Sequence, residues 1–396
     1  MDEKNRKIIA IISFLRKFIS VFFNIFFDIY VLKLINDIGY IILINLISIV
    51  IGYIFNVFMV KYMNNKIAKN VYITSFILLV FCIGLLLVFK ENIIQYILLF
   101  KILYRIQEQC YSAPLEMIIM GSNSHNTFSS FQANMNILAG LATIFTPIFS
   151  GFIIENFSYN ILFIILAIET LIVIITSTRI TNFYIEERKT NIKEFWNKTL
   201  KYNHMKDIYK CMFYRRISVQ GAITDLLPII LFLKLNSELS VGTYNSLFAI
   251  LSIIALSLLK LVNKRNISKR FYIPFAILIF ISTLILVFIP SFTTLIIYYI
   301  CMNTFAIVIE SESCSAVYEA INTKELSIYN REHYILYNVY MCIGQIISYS
   351  LAYILYTYFY NANILSIVVS ILTFFLVISC IYLQKTENYL NKNLKK

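Results

Sequence analysis

Lys101, Arg105, Glu108, Ser112 and Glu116 follow one another at intervals of four, three, four and four residues. On a helix that spacing places two bases, two acids and a hydroxyl on one face. The run that holds them, about 93–119, is otherwise apolar and long enough to cross a bilayer, which takes about 20 residues. A charge at that depth costs about 3 kcal/mol or more unless it faces protein or water, so this face must look inward. A carboxylate in apolar surroundings can exchange protons near neutral pH. Arg105, one turn from Glu108, would oppose protonation until a motion separated the two. The plainer reading of the same residues is a static ion pair that fixes two helices.

A second set repeats the arrangement. Glu312, Ser315 and Glu319 share a face, as Glu108, Ser112 and Glu116 do. Asp28 and Asp225 lie in two further apolar runs and could take a proton or bind a cation. Asp28 sits near the outer end of its run, where a hydrogen-bonding gate is an equal reading. Asn24, one turn earlier, is a candidate cavity group. Arg16, Lys17, Arg215 and Arg216 could line the inner half of the cavity or mark the cytoplasmic edge with their heads in the headgroup layer, and the edge is the favoured reading.

Composition names the setting. Of the 396 residues 59% are hydrophobic and 14% charged, where soluble domains run at roughly 45–50% apolar. Mean hydropathy is +0.75. The chain reads as an all-α integral membrane protein. Its net charge of +13 would point to nucleic acid in a soluble protein, but the bases sit in short connections between apolar runs, where they set topology. The seven cysteines lie in or beside apolar runs without ligand spacing and read as core residues, with no metal or disulfide expected. The basic, then apolar N-terminus continues past Ile29 without a small-residue cleavage site, so it reads as a retained first span.

Apolar runs of spanning length fall near 8–32, 38–60, 70–89, 93–119, 128–153, 159–181, 211–234, 243–262, 271–289, 291–318, 331–358 and 362–384, which predicts twelve spans. One alternate set of connections carries Lys4, Arg6 and Lys7; Lys61, Lys66 and Lys69; the 182–210 segment; Lys264, Arg265, Lys269 and Arg270; Lys324; and the lysine-rich tail. The other set offers only Lys33, Lys90 and Lys234. The first set is therefore expected in the cytoplasm, with both termini inside and the protein in the plasma membrane. Residues 182–210 read as a cytoplasmic amphipathic linker between bundles 1–181 and 211–396. Leu32-Lys33-Leu34 matches Leu233-Lys234-Leu235, and Ser112-Ala113-x-x-Glu116 matches Ser315-Ala316-x-x-Glu319. An offset near 200 after six spans implies parallel repeats about an axis along the membrane normal. The first, fourth, seventh and tenth spans hold nearly all the intramembrane charge and are expected to share an interior. The third, ninth and twelfth are expected to face lipid.

This architecture resembles the major facilitator superfamily, over the whole chain. Arg105-Ile-Gln-Glu108 followed by Ser112-Ala113 is similar to the family's span-4 pattern, with Gln109 and Tyr111 where the family has glycines. Ala142-Thr-Ile-Phe-Thr146-Pro147-Ile-Phe-Ser150-Gly151 resembles the span-5 motif of family antiporters, with Thr146 and Ser150 at two of its small positions. Small residues four apart let helices approach, and Pro147 bends the helix. The family's acidic and basic motif between spans 2 and 3 is reduced here to the basic turn Val60–Lys66.

The resemblance implies a proton-coupled carrier working by alternating access, with export favoured by the span-5 motif. An acidic, aromatic lining suits a cationic or amphipathic small molecule. Protons and the bilayer are the other expected partners; no nucleic acid and no cofactor is expected, and the carrier is read as a monomer. The Ile-, Asn-, Lys- and Tyr-rich usage resembles an AT-rich bacterial genome. A membrane-embedded enzyme on a lipid-linked substrate, or a non-transporting sensor or assembly protein of the same fold, is the alternative. No Gly-x-x-x-x-Gly-Lys-Ser/Thr, Ser-His-Asp or His-Glu-x-x-His pattern occurs.

Overall fold

The computed structural model describes residues 3–121, 125–180, 190–263, 271–321, 326–359 and 363–393, and among these the chain is helical throughout its regular elements. It divides into two compact units. The first is Met1–Lys189 with Leu235–Leu247, and the second is Thr190–Lys234 with Phe248–Lys396.

In the first unit the helices are α1 (Glu3–Ile25), α2 (Phe27–Ile35), α3 (Ile38–Lys61), α4 (Asn65–Phe89), α5 (Ile97–Gly121), α6 (His125–Asn156) and α7 (Tyr159–Ser177). A 3-10 segment, Lys90–Tyr96, joins α4 to α5. Helices α3 and α4 pack on α5, while α1 packs on α6 and α7. The second unit begins with α8 (Ile192–Thr199), α9 (Asn203–Ile217) and α10 (Ala222–Leu235). It continues with α11 (Glu238–Asn263), whose first turns belong to the first unit, and with α12 (Tyr272–Phe288) and α13 (Phe292–Cys301). A π-helical turn, Met302–Ala306, leads into α14 (Ile307–Ile321), and α15 (Asn330–Tyr358) and α16 (Ile364–Asn393) close the unit.

Nine stretches of the described residues are long and apolar enough to cross a membrane. One of them, Asn65–Met117, runs for 53 residues through two of the expected spans. Two shorter apolar helices, Gly140–Asn156 and Tyr272–Phe288, fall where two more were expected. The expected linker begins in residues 181–189, outside those described. Its remainder forms α8 and enters α9, both counted with the second unit. Phe195 of α8 is fully buried, stacked on Tyr329 at 5.4 Å and edge-on to His333, and Trp196 stacks on Tyr340. Phe195 is thus covered by protein, while Trp196 is half-buried. Lys198 reaches the Tyr329 hydroxyl and Glu194, and these two partners, in that order, hold its ammonium above the ordinary lysine range.

Exposed and core-facing residues form separate stripes where a helix lies at the surface, as α7 shows. On α7, Ile161, Ile164, Ile168, Ile172 and Ile175 are exposed, while Leu162, Leu166 and Val173 are buried. The twelfth expected span has both kinds of face. Helix α16 exposes Ile371, Phe374 and Ile381, but buries Val368, Leu372, Leu376, Cys380 and Leu383. An apolar face can pack on protein as readily as on lipid, because membrane helices associate by close packing more than by hydrophobicity.

The internal repeat has a backbone signature. Helices α2 and α10 end at Asn36 and Asn236, which take φ values of 56° and 53°. The Asn36 N–H closes the last turn on the Leu32 carbonyl at 2.7 Å. Asparagine tolerates this left-handed cap and most other residues do not. Asn36→Ala and Asn236→Ala are each expected to cost about 1 kcal/mol, while Asn→Gly should be neutral. Thermal unfolding of the purified variants reads the difference.

Upstream of these caps both helices are interrupted. Helix α1 yields to α2 at Phe26, and α9 yields to α10 across Ser218–Gly221. At the second break Ser348 of α15 accepts the Ala222 N–H at 2.9 Å, supplying a partner at a buried helix start. Gly221 is required there, since a Cβ would meet the Ser348 hydroxyl at 2.2 Å and the Arg216 carbonyl at 2.4 Å.

Candidate functional site

The polar face of α5 meets α1, α2 and α3. Lys101 and Asp28, only 7% and 6% exposed, form a direct ion pair. Asn45 of α3 donates to the other Asp28 oxygen at 3.0 Å, and the Lys101 ammonium lies 4.8 Å from the Phe27 ring centre. One turn on, Arg105 pairs with Glu108 at 2.9 Å, both half-buried. Gly52 of α3 admits this stretch, since a Cβ would lie 3.1 Å from the Arg105 Cβ. Ser112 and Glu116 continue the face, half-buried, and Asn24 is exposed.

Arg16 is placed differently from its expected position at the cytoplasmic edge. It is 3% exposed and donates to Gln107 of α5 at 2.9 Å, with its guanidinium 5.3 Å from the Tyr111 ring centre. Arg215 repeats this in the second unit. It is 2% exposed and bonds Ser313 and the Glu310 carbonyl, both on α14. Both arginines are interior groups that hold the first helix of a unit to its fourth span. Sequence reasoning missed this because a base near a span end is usually drawn outward to phosphate. Here polar side chains on a neighbouring helix supply the competing partners.

In the second unit Glu312 accepts from the Tyr272 hydroxyl at 2.9 Å, and Asp225 accepts from Tyr349. Gln220 donates to Glu310, an acid outside the expected set. Ser315 and Glu319 are exposed, and Ser315 bonds the Ser311 carbonyl at 3.1 Å. The π-helical turn ahead of α14 belongs to a class of bulge frequent at functional sites. Of the histidines, His333 is fully buried with its Nδ1 2.7 Å from the Tyr209 hydroxyl, His204 is buried against Tyr389, and the His125 side chain lies outside the described set.

The span-5 residues form a packing surface within the first unit. Ala142, Thr146, Pro147, Ser150 and Gly151 are buried on α6. The opening turns of α11 lie against them so closely that a Cβ at Gly242 would meet the Pro147 carbonyl at 2.2 Å. One at Gly151 would meet the Glu238 carbonyl at 2.6 Å. At the same place Glu238 pairs with Lys33 and accepts from Tyr159 at 3.1 Å. Glu155 accepts from the Ser237 hydroxyl at 2.7 Å and the Leu239 N–H at 2.9 Å, capping α11 from outside its own helix. None of Lys33, Glu155 and Glu238 was among the expected site residues, because each looks like an ordinary connection charge in the sequence.

These features define a polytopic helical membrane protein with ionisable side chains inside both units. The model for the Major Facilitator Superfamily matches residues 9–322, and the chain belongs to that family. It is a membrane transporter rather than an enzyme, and acts on a small-molecule substrate. A solved structure, that of a bacterial homologue of the iron transporter ferroportin in an inward-facing state, shares the fold. Its TM-score is 0.64 at 9% identity, over 98% of this chain and 99% of that one. No curated protein matches.

Proposed function

We propose that this transporter is a proton-coupled exporter of a small cationic or amphipathic solute, working by alternating access from two pseudo-equivalent bundles. The observation that carries the reading is the half-buried Arg105–Glu108 pair, at bilayer depth in the first unit. A pair on one helix can be opened by proton uptake on the acid, and a transported cation can compete for the same carboxylate. Glu312, which accepts from the Tyr272 hydroxyl, offers comparable chemistry in the second unit. Asp28, paired with Lys101 and bonded by Asn45, is held more firmly and serves as a structural anchor in this reading. The close seating of Gly242 on the span-5 motif supports export, the direction with which that motif is associated. Positive-inside charge supports cytoplasmic termini in the plasma membrane.

The solved neighbour is a homologue of the iron transporter ferroportin, so divalent metal is a probe beside organic cations. The test is purified protein in liposomes under an imposed pH gradient, with a pH-sensitive dye inside. Tetraphenylphosphonium or cobalt(II) is added outside. Wild type is expected to move protons on addition of one probe. Glu108→Gln should reduce that flux roughly tenfold or more, the equivalent of about 1.4 kcal/mol in a barrier. Solute movement that persists without proton movement in both proteins would defeat the coupling claim.

A further inference from the structure

Glu169 is the acid that the face on α5 does not account for. It sits half-buried in the middle of α7, three residues after the buried Leu166 and four before the buried Val173. Among the described residues it has no hydrogen bond or ion pair. The charged group that acts on it is Arg16, on the neighbouring helix α1. Arg16 uses one nitrogen on Gln107, and its Nε and Nη1 have no hydrogen-bond partner although both are buried. The Tyr104 hydroxyl lies beside the guanidinium without the geometry of a hydrogen bond. Glu108, the other acid within reach of Arg16, is held by Arg105.

A buried guanidinium with unused donors and a mid-membrane acid without a partner are each expensive alone. Both costs fall if the acid carries a proton in one state and closes on the guanidinium in another. We propose that Glu169 is a proton-binding side chain of the first unit, and that Arg16 receives its carboxylate when the proton leaves for water. This deepens the proposed transport function and rests on it for its role in coupling.

The surroundings are compatible with that exchange. From α1 the facing charge is Arg16. Helix α4, packed on the same side, brings Tyr72 and Cys82, both within the field of Arg16. The described side chains of α6 bring no ionisable group before Glu155 at its end. Arg16 is therefore the local cation that decides when Glu169 can ionise.

The test is infrared difference spectroscopy of the full chain in lipid nanodiscs between acid and alkaline pH, reading the C=O stretch of protonated carboxyl groups. Wild type should show a band that disappears as pH rises. Glu169→Gln should remove that band, Glu169→Asp should move it, and Glu108→Gln should leave it. Arg16→Gln takes away the cation that favours the carboxylate, so the band should persist to a pH higher by about one unit. Arg16→Lys should restore most of the wild-type profile. A Glu169→Gln spectrum identical to wild type, or an Arg16→Gln profile that does not move, overturns the proposal. The spectra need no substrate, so they separate the two readings. Absent proton flux in liposomes with the band behaving as expected would sink the transport proposal alone. Proton-coupled flux with an unchanged band would sink this one alone.

Discussion

Lys101→Met is expected to destabilise the protein by about 3–5 kcal/mol, one of the two largest losses among the substitutions considered for this chain. The change leaves the Asp28 carboxylate buried with Asn45 but without its cation. Asp28→Asn should cost a comparable amount from the other side, stranding the Lys101 ammonium over the Phe27 ring. The double variant Asp28→Asn/Lys101→Met should recover most of the loss, because a neutral amide can still meet Asn45 and no unpaired charge remains. Thermal unfolding of the four purified proteins in one detergent gives the coupling directly. Single variants as stable as wild type would mean that the pair is not structural, and would return Asp28 to the cation-binding role that its sequence position allowed.

That pair shows where sequence reading reaches its limit. The face Lys101–Arg105–Glu108–Ser112–Glu116 follows from helical spacing alone, and the structure keeps all five on one continuous helix. What spacing does not contain is the partner. Asp28 is 73 residues from Lys101 in sequence, and nothing local distinguishes an acid awaiting a proton from one already paired. The same limit hid Arg16 and Arg215, whose interior partners are Gln107, Ser313 and a carbonyl, groups with no charge to advertise them.

The family fold was legible because it is written in periodic quantities: apolar run length, alternation of basic connections, and an offset near 200 residues. The left-handed caps at Asn36 and Asn236 obey that same offset. Their backbone conformation could not be read from asparagine alone, which is equally at home in loops. Contacts that depend on one helix seating on another were less legible. The small residues of span 5 announced close approach, yet not that the approaching surface would be Gly242 and the backbone at Glu238.

Gly242→Val should therefore be the second large effect. Its Cβ would fall 2.2 Å from the carbonyl oxygen of Pro147, a backbone atom at a buried position within α6. Neither helix can yield by turning a side chain, so α11 must lift from α6 along its first turns. Overpacking of this kind costs about 1–3 kcal/mol. The loss should be functional before it is structural, because the displaced turns also carry Glu238, Ser237 and Leu239 to Lys33, Tyr159 and Glu155. Gly242→Val protein should insert in the membrane and purify as a single species, with probe flux in liposomes reduced roughly tenfold or more. Gly242→Ala should lie between it and wild type. Thr146→Ala, on the same α6 surface, removes atoms instead of adding them and should be tolerated. A Gly242→Val protein with wild-type flux would show that the close seating of these helices is packing without a part in transport.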